Sequence, residues 1–160
     1  MTIYWHGLSC FKIETNDLTI GLNPFAKNEK LGIAKSPRFK AQALLISSPD
    51  ELYNYSGSID GSPMIIDHAG EFELSGCFIY GIQGQAKFFK AKDKQNTVFV
   101  IKSEDLWLAH LGAFSGSKMK LDSLEKFIKE VNLKPENEEK LLLKSRSLDE
   151  EKTRLVILSS

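Results

Sequence analysis

Short runs that either alternate apolar with polar residues, as at Thr2 to His6, or stay apolar for four positions, as at Ala43 to Ile46 and Val98 to Ile101, fill the first two thirds of the chain between Gly, Pro, Asn and Ser residues. Such runs predict strands at 2–6, 9–15, 17–22, 42–47, 63–67, 71–82 with a turn at Ser75-Gly76, 97–103 and 106–111. Residues 26–40 break the pattern with Lys27, Asn28, Lys30, Gly32, Lys35, Pro37 and Lys40, and form a polar connection. The period then lengthens. Leu121, Leu124, Phe127, Ile128 and Val131 make one apolar stripe, so a helix is predicted from Ser123 to Val131. Asp122 caps it, Glu125 follows three residues later, and Asn132 and Pro135 end it. The tail offers two short strands, Lys140–Lys144 and Thr153–Leu158, joined by a charged turn over Ser147–Lys152.

Length and composition narrow the picture. A chain of 160 residues with 42% hydrophobic content buries roughly two thirds of its unfolded surface, enough for one domain spanning 1–160 with its own core. The 21 basic and 21 acidic residues cancel, which removes any bulk attraction to nucleic acid or membrane phosphate. The densest basic stretch places Lys87, Lys90, Lys92 and Lys94 around Phe88 and Phe89, a pattern that single-strand binders share with exposed hairpins. No apolar run reaches the roughly 20 residues that span a bilayer, and no signal pattern opens the chain. A cytoplasmic protein is expected, with no membrane partner.

Few residues are equipped for chemistry. There are three histidines, His6, His68 and His110, and none stands in a metal-ligand spacing. His6 ends an alternating run and reads as a strand-edge or turn residue; His68 reads as a loop residue paired with Asp67. His110 closes the apolar run Leu106–Ala109 and reads as structural. Asp50 lies between Pro49 and Glu51 and reads as a helix N-terminus, where a carboxylate complements the dipole. Ser48 lacks a Gly-x-Ser-x-Gly elbow and a partner base. Cys10 and Cys77 sit in apolar runs without a Cys-x-x-Cys spacing and read as small buried hydrophobes.

The order of segments carries a resemblance. Thr2–Glu14, Leu18–Phe25, Ala43–Ser47, Gly70–Glu73, Gly76–Ile82, Asn96–Ile101 and His110-Leu111-Gly112 together resemble small metallo-β-lactamase-fold hydrolases of the lactonase-like, ascorbate-phosphate-lactonase-related branch. The resemblance implies an α/β, β-rich fold: a truncated metallo-β-lactamase-like sandwich. Residues 26–40 then precede the metal loop as a mobile flap. Carried over by position, the family's His-x-His-x-Asp-His loop falls on Ser48, Asp50, Leu52 and Tyr53. A further ligand histidine falls near Ala86 and the bridging aspartate on Ala113. Past Phe114-Ser115-Gly116 the chain passes almost directly to the helix, which implies loss of a βαβ-sized piece of roughly 30 residues.

A dinuclear hydrolytic centre needs several fixed ligands and an oriented second shell. With Ser48, Leu52, Tyr53, Ala86 and Ala113 at ligand positions, only Asp50 retains a ligating group. The reading is a catalytically inactive family member with no metal, cofactor or catalytic residue, serving as a binding or structural module. Two rivals stay open: a weak metal-dependent hydrolase rebuilt from Asp50, Tyr53, His68 or Glu71, and a polyanion binder through the four lysines. Apolar packing is expected to fill the old cleft around Leu52, Tyr53 and Ala113. Loss of a βα unit also predicts a homodimer, through Phe114–Met119 with the 123–131 helix or the 153–158 strand.

Overall fold

Trp5 and Ile3 alternate with Tyr4 and His6, so the first strand presents an apolar face to one side. It runs Thr2–Gly7 (β1) and pairs antiparallel with Cys10–Glu14 (β2), Ile3 opposite Ile13 and Trp5 opposite Phe11. The computed structural model describes residues 1–85, 95–104 and 106–113, and the backbone of two further strands at 146–148 and 153–158. The expected helix at 123–131, the strand at 140–144 and the junction at 114–119 lie outside the described residues, as do Ala86, Lys87, Lys90, Lys92 and Lys94.

Thr19–Leu22 (β3) follows β2 antiparallel. Phe39–Lys40 (β4) and Ala43–Leu45 (β5) come next, with Ile59–Asp60 (β6) pairing parallel to β4. Met64–Ile66 (β7) lies parallel to β5, and β5 parallel to β3, giving a five-stranded sheet in the order β1-β2-β3-β5-β7. The second sheet is formed by Gly70–Leu74 (β8), Cys77–Gln85 (β9), Gln95–Ser103 (β10), Leu106–His110 (β11), Arg146–Leu148 (β12) and Thr153–Leu158 (β13). Its order is β12-β13-β11-β10-β9-β8. The turn expected at Ser75-Gly76 joins β8 to β9, with both residues at positive φ (49° and 71°).

The sheets pack face to face as a sandwich. Ile13, Ile20, Leu22, Leu45 and Ile66 from the first meet Ile79, Phe99, Ile101 and Leu108 from the second in one buried cluster. The other face of the first sheet is covered too: Cys10, Leu44 and Ile46 pack with Phe25, Phe39, Ala41 and Ile59. That second cluster qualifies the reading of 26–40 as a polar connection, because Phe39 and Ile33 pack into it. Phe39 is buried, and the segment contains a 3-10 turn over Glu29–Leu31, capped by Asn28 and closed by Gly32 at φ 72°. At the far end Glu104 accepts the Asn16 N–H at 2.8 Å and pairs with the Met1 ammonium, joining one sheet to the other.

One expectation for the tail changes: Ser147 and Leu148, read as part of a turn, belong to β12. The strand expected at 153–158 is β13, which lies between β11, to which it is parallel, and β12.

Candidate functional site

Strands parallel to one another deliver their C-terminal ends to the same rim of a sheet, and here that rim carries the positions at issue. β3 ends at Asn23, β5 runs on into Ile46-Ser47-Ser48, β11 ends at Leu111-Gly112-Ala113, and β10 starts beside them at Asn96-Thr97. Asn23, Ser47, Ser48, Asn96 and Thr97 are polar where the apolar runs of β3, β5 and β10 begin or stop, and at the end of β11 the backbone groups of Leu111 and Ala113 serve as their partners, so the buried polar groups satisfy one another. The Asn23 side chain donates to Ser47 Oγ at 2.8 Å and accepts the Ser47 N–H at 2.8 Å. The Thr97 N–H donates to the Ser47 carbonyl at 2.8 Å. Asn96 donates to the Leu111 carbonyl at 2.9 Å and accepts the Ala113 N–H at 2.8 Å.

Gly112 sits between these partners at φ 65°. A Cβ there would lie 2.4 Å from Ser47 Oγ and 2.5 Å from Asn96 Oδ1, so only glycine allows the two sheets to close. Behind the network His110 is fully buried, its ring edge-on to Phe11 and its Nε2 3.0 Å from the Ser9 carbonyl. Since a carbonyl can only accept, Nε2 carries the proton and Nδ1 presents a bare lone pair, for which the described residues provide no hydrogen-bond partner. Burial holds its pKa down at about 4, so the imidazole is neutral.

The loop after Ser47 is folded onto itself. Ser48 is 6% exposed, with its Oγ accepting the Asp50 N–H at 3.4 Å. Asp50, expected at a helix N-terminus, has no helix after it. Its carboxylate accepts the Leu52 N–H at 2.9 Å, and its carbonyl accepts the Tyr53 N–H at 2.8 Å, an Asx-type turn that aspartate makes readily. Tyr53 (9% exposed) and Ala113 (4%) form a small buried cluster, against which Leu52 packs while itself only half-buried. Positions 53 and 113, separated by 60 residues, thus meet as apolar contacts.

Among the described residues no three His, Cys, Asp or Glu side chains group closely enough to hold a metal ion. Asp50, His68 and Glu71 therefore do not assemble. His68 bonds to Asp67 at 3.0 Å as expected, lies edge-on to Phe72, and is mostly exposed. His6 is half-buried on β1, stacked on Phe39 at 4.7 Å, and its pKa is lowered by burial and by Lys12. Burial pushes the Cys10 thiol up to about 12 and Cys77 to about 11, so neither supplies a thiolate near neutral pH. The residues that sequence reasoning passed over are Ser9, Asn23, Ser47, Asn96 and Gly112. A visible signal was there: Asn23 and Asn96 stand where polar residues interrupt the ends of apolar strands.

The sequence matches the family model of the beta-lactamase superfamily domain over residues 2–131. No curated protein matches it. Among solved structures it is similar to a protein of the metallo-beta-lactamase superfamily from Thermotoga maritima, proposed to be a Zn-dependent hydrolase. That pair is 24% identical with a TM-score of 0.57, over 77% of this chain and 55% of the other. It is also similar to a Veillonella parvula protein, proposed to be a metal-dependent hydrolase, at 9% identity and a TM-score of 0.55, over 82% of this chain and 69% of the other. This chain spans only about half the length of the Thermotoga protein, and at these identities the likeness speaks for the fold alone. On the family match and the two packed sheets, the chain belongs to the beta-lactamase superfamily domain family and has the metallo-beta-lactamase fold.

Proposed function

We propose that this chain is a non-hydrolytic member of its family, a cytoplasmic binding or structural module that keeps the scaffold of the lactonase-like branch without its metal chemistry. One observation carries the reading. Asp50, the last ligating group at the carried-over positions, uses one carboxylate oxygen to accept the Leu52 N–H, while Tyr53 and Ala113 close on each other. A metal there would meet a lone carboxylate, since among the described residues no three His, Cys, Asp or Glu side chains group closely enough to complete its coordination. The buried network has a purpose without metal: Asn23 ties the exits of β3 and β5, Asn96 ties β10 to the exit of β11, and the Thr97 N–H donated to the Ser47 carbonyl joins the two sheets at this rim. The free thiols of Cys10 and Cys77 suit a reducing compartment.

Elemental analysis tests the proposal on protein produced with Zn, Mn and Fe supplied in turn, alongside turnover assays with lactones and phosphate esters. The expected result is metal far below one ion per chain and no turnover. A tightly held ion at full occupancy that is lost in Asp50→Asn would overturn it and favour the rebuilt hydrolase.

A further inference from the structure

The two sheets present four outer strands, and three of them are guarded against pairing. β7 is three residues long, with Pro63 before it and Asp67 after it. β8 turns two carboxylates, Glu71 and Glu73, outward in alternation. β12 is again three residues. Short edges, charges and prolines are the usual means by which proteins keep edge strands from recruiting another chain. β1 has none of these three, and its bulge between Trp5 and Gly7 leaves the stretch Thr2–Trp5 open. The strand is six residues long, carries no Lys, Arg, Asp, Glu or Pro, and among the described residues nothing pairs with its outer edge. Tyr4 is 42% exposed and Trp5 69% exposed, yet the indole is not loose: Trp5 Nε1 donates to the Leu8 carbonyl at 2.8 Å. An aromatic held in place at an exposed edge loses little conformational entropy when a partner covers it.

We infer that β1 is a homodimer interface, pairing antiparallel with β1 of a second copy so that two five-stranded sheets become one of ten strands. The side chains select a second copy as the occupant. For core faces to stay on one side of the joined sheet, residues facing each other must share a face, so their numbers must add to an even sum. The register with Tyr4 opposite Tyr4 of the second copy meets this. It sets Ile3 opposite Trp5 and Trp5 opposite Ile3, apolar pairs that support a sheet, and Thr2 opposite His6. No like charges meet in that register, and the formal net charge of zero leaves no long-range repulsion between copies. Pairing of this kind is isologous and closes on itself as a two-fold dimer. The β-bulge between Trp5 and Gly7 confines the ladder to the first part of the strand, which keeps the association finite and modest. The inference stands whether or not the chain binds metal.

Sedimentation of the full chain from low micromolar to near-millimolar concentration tests it, with Tyr4→Lys and Tyr4→Glu run alone and mixed. The unmodified chain should rise from 18.0 kDa toward twice that mass. Each variant, which sets like charges on the two-fold, should remain at monomer mass with an unchanged circular dichroism spectrum. An equal mixture of the two should regain the dimer, which a merely unfolded variant could not do. A monomer for the unmodified chain throughout the range would overturn the inference, as would a dimer indifferent to both charges or an equal mixture that stays monomeric.

Discussion

Asn23 and Ser47 hold each other by two hydrogen bonds, side chain to hydroxyl and backbone N–H to side chain, each at 2.8 Å and both shielded from water. The pair ties the exit of β3 to the exit of β5, and Asn23 adopts φ 44° to do so, a conformation that asparagine tolerates better than most residues. Asn23→Ala would strand the Ser47 N–H in the interior and add backbone strain. We expect a loss of about 2 to 4 kcal/mol in urea unfolding. Less than about 0.5 kcal/mol would mean that the pair contributes nothing beyond its solvated equivalent.

Gly112 should be as sensitive for a different reason. Alanine there would be placed in the left-handed region and would push its methyl into Ser47 and Asn96, whose positions are fixed by their own bonds. Gly112→Ala is expected to cost about 2 kcal/mol or more, read as a lowered urea midpoint at unchanged slope. A variant as stable as the parent would show that the two sheets have room to move apart at this rim.

Asp50 separates a capping role from a metal role. Asparagine keeps the oxygen that accepts the Leu52 N–H and removes the charge; alanine removes both. Asp50→Asn should therefore leave stability within about 0.5 kcal/mol, whereas Asp50→Ala should cost about 1 kcal/mol. Equal losses in the two variants would show that the negative charge, not the cap, is what the fold uses.

Two patterns carried most of the fold: β8 alternates because one of its faces meets water, while β5, β10 and β11 are buried on both faces and read as continuous apolar runs. β4 and β6 escaped because two residues are too few to show a period, although Phe39 and Ile59 are both buried. At the site, what could be read was residue type: Leu52, Tyr53 and Ala113 stand where the family resemblance puts ligands. How these residues are used could not be read, since the contact between Tyr53 and Ala113 and the bonds of Asn96 to residues 111 and 113 depend on how distant strands end side by side. Asp50 shows the same limit. An acidic residue after proline suits a helix start and an Asx turn equally, and only the packing of Tyr53 decides between them.

Ala113 offers a way to ask whether this rim accepts a charge. Ala113→Asp would set a carboxylate at a site 4% exposed and against Tyr53. Without a cation to pair it, the expected cost is about 2 kcal/mol or more, and Leu52→Asp, at a half-buried position, should cost less. Adding Zn should not recover the loss; recovery of the melting temperature on metal addition would show that the rim still forms a cation site.

His110 makes the stability depend on pH with a definite sign. Its folded pKa, about 4, lies below the ordinary value of 6.5 because the ring is fully buried, so the unfolded chain binds the proton first. Its contribution is intact above about pH 6.5, falls as the pH drops from there toward about 4, and levels off below, when both states are protonated. Between about pH 7 and pH 5 this amounts to roughly 2 kcal/mol lost. His110→Gln has no such proton to bind, so whatever its stability at neutral pH, its decline over the same interval should be shallower by that amount. Urea unfolding of both proteins at the two pH values measures the difference directly, and parallel declines would show that His110 is reached by water, or pairs through Nδ1, in the folded state.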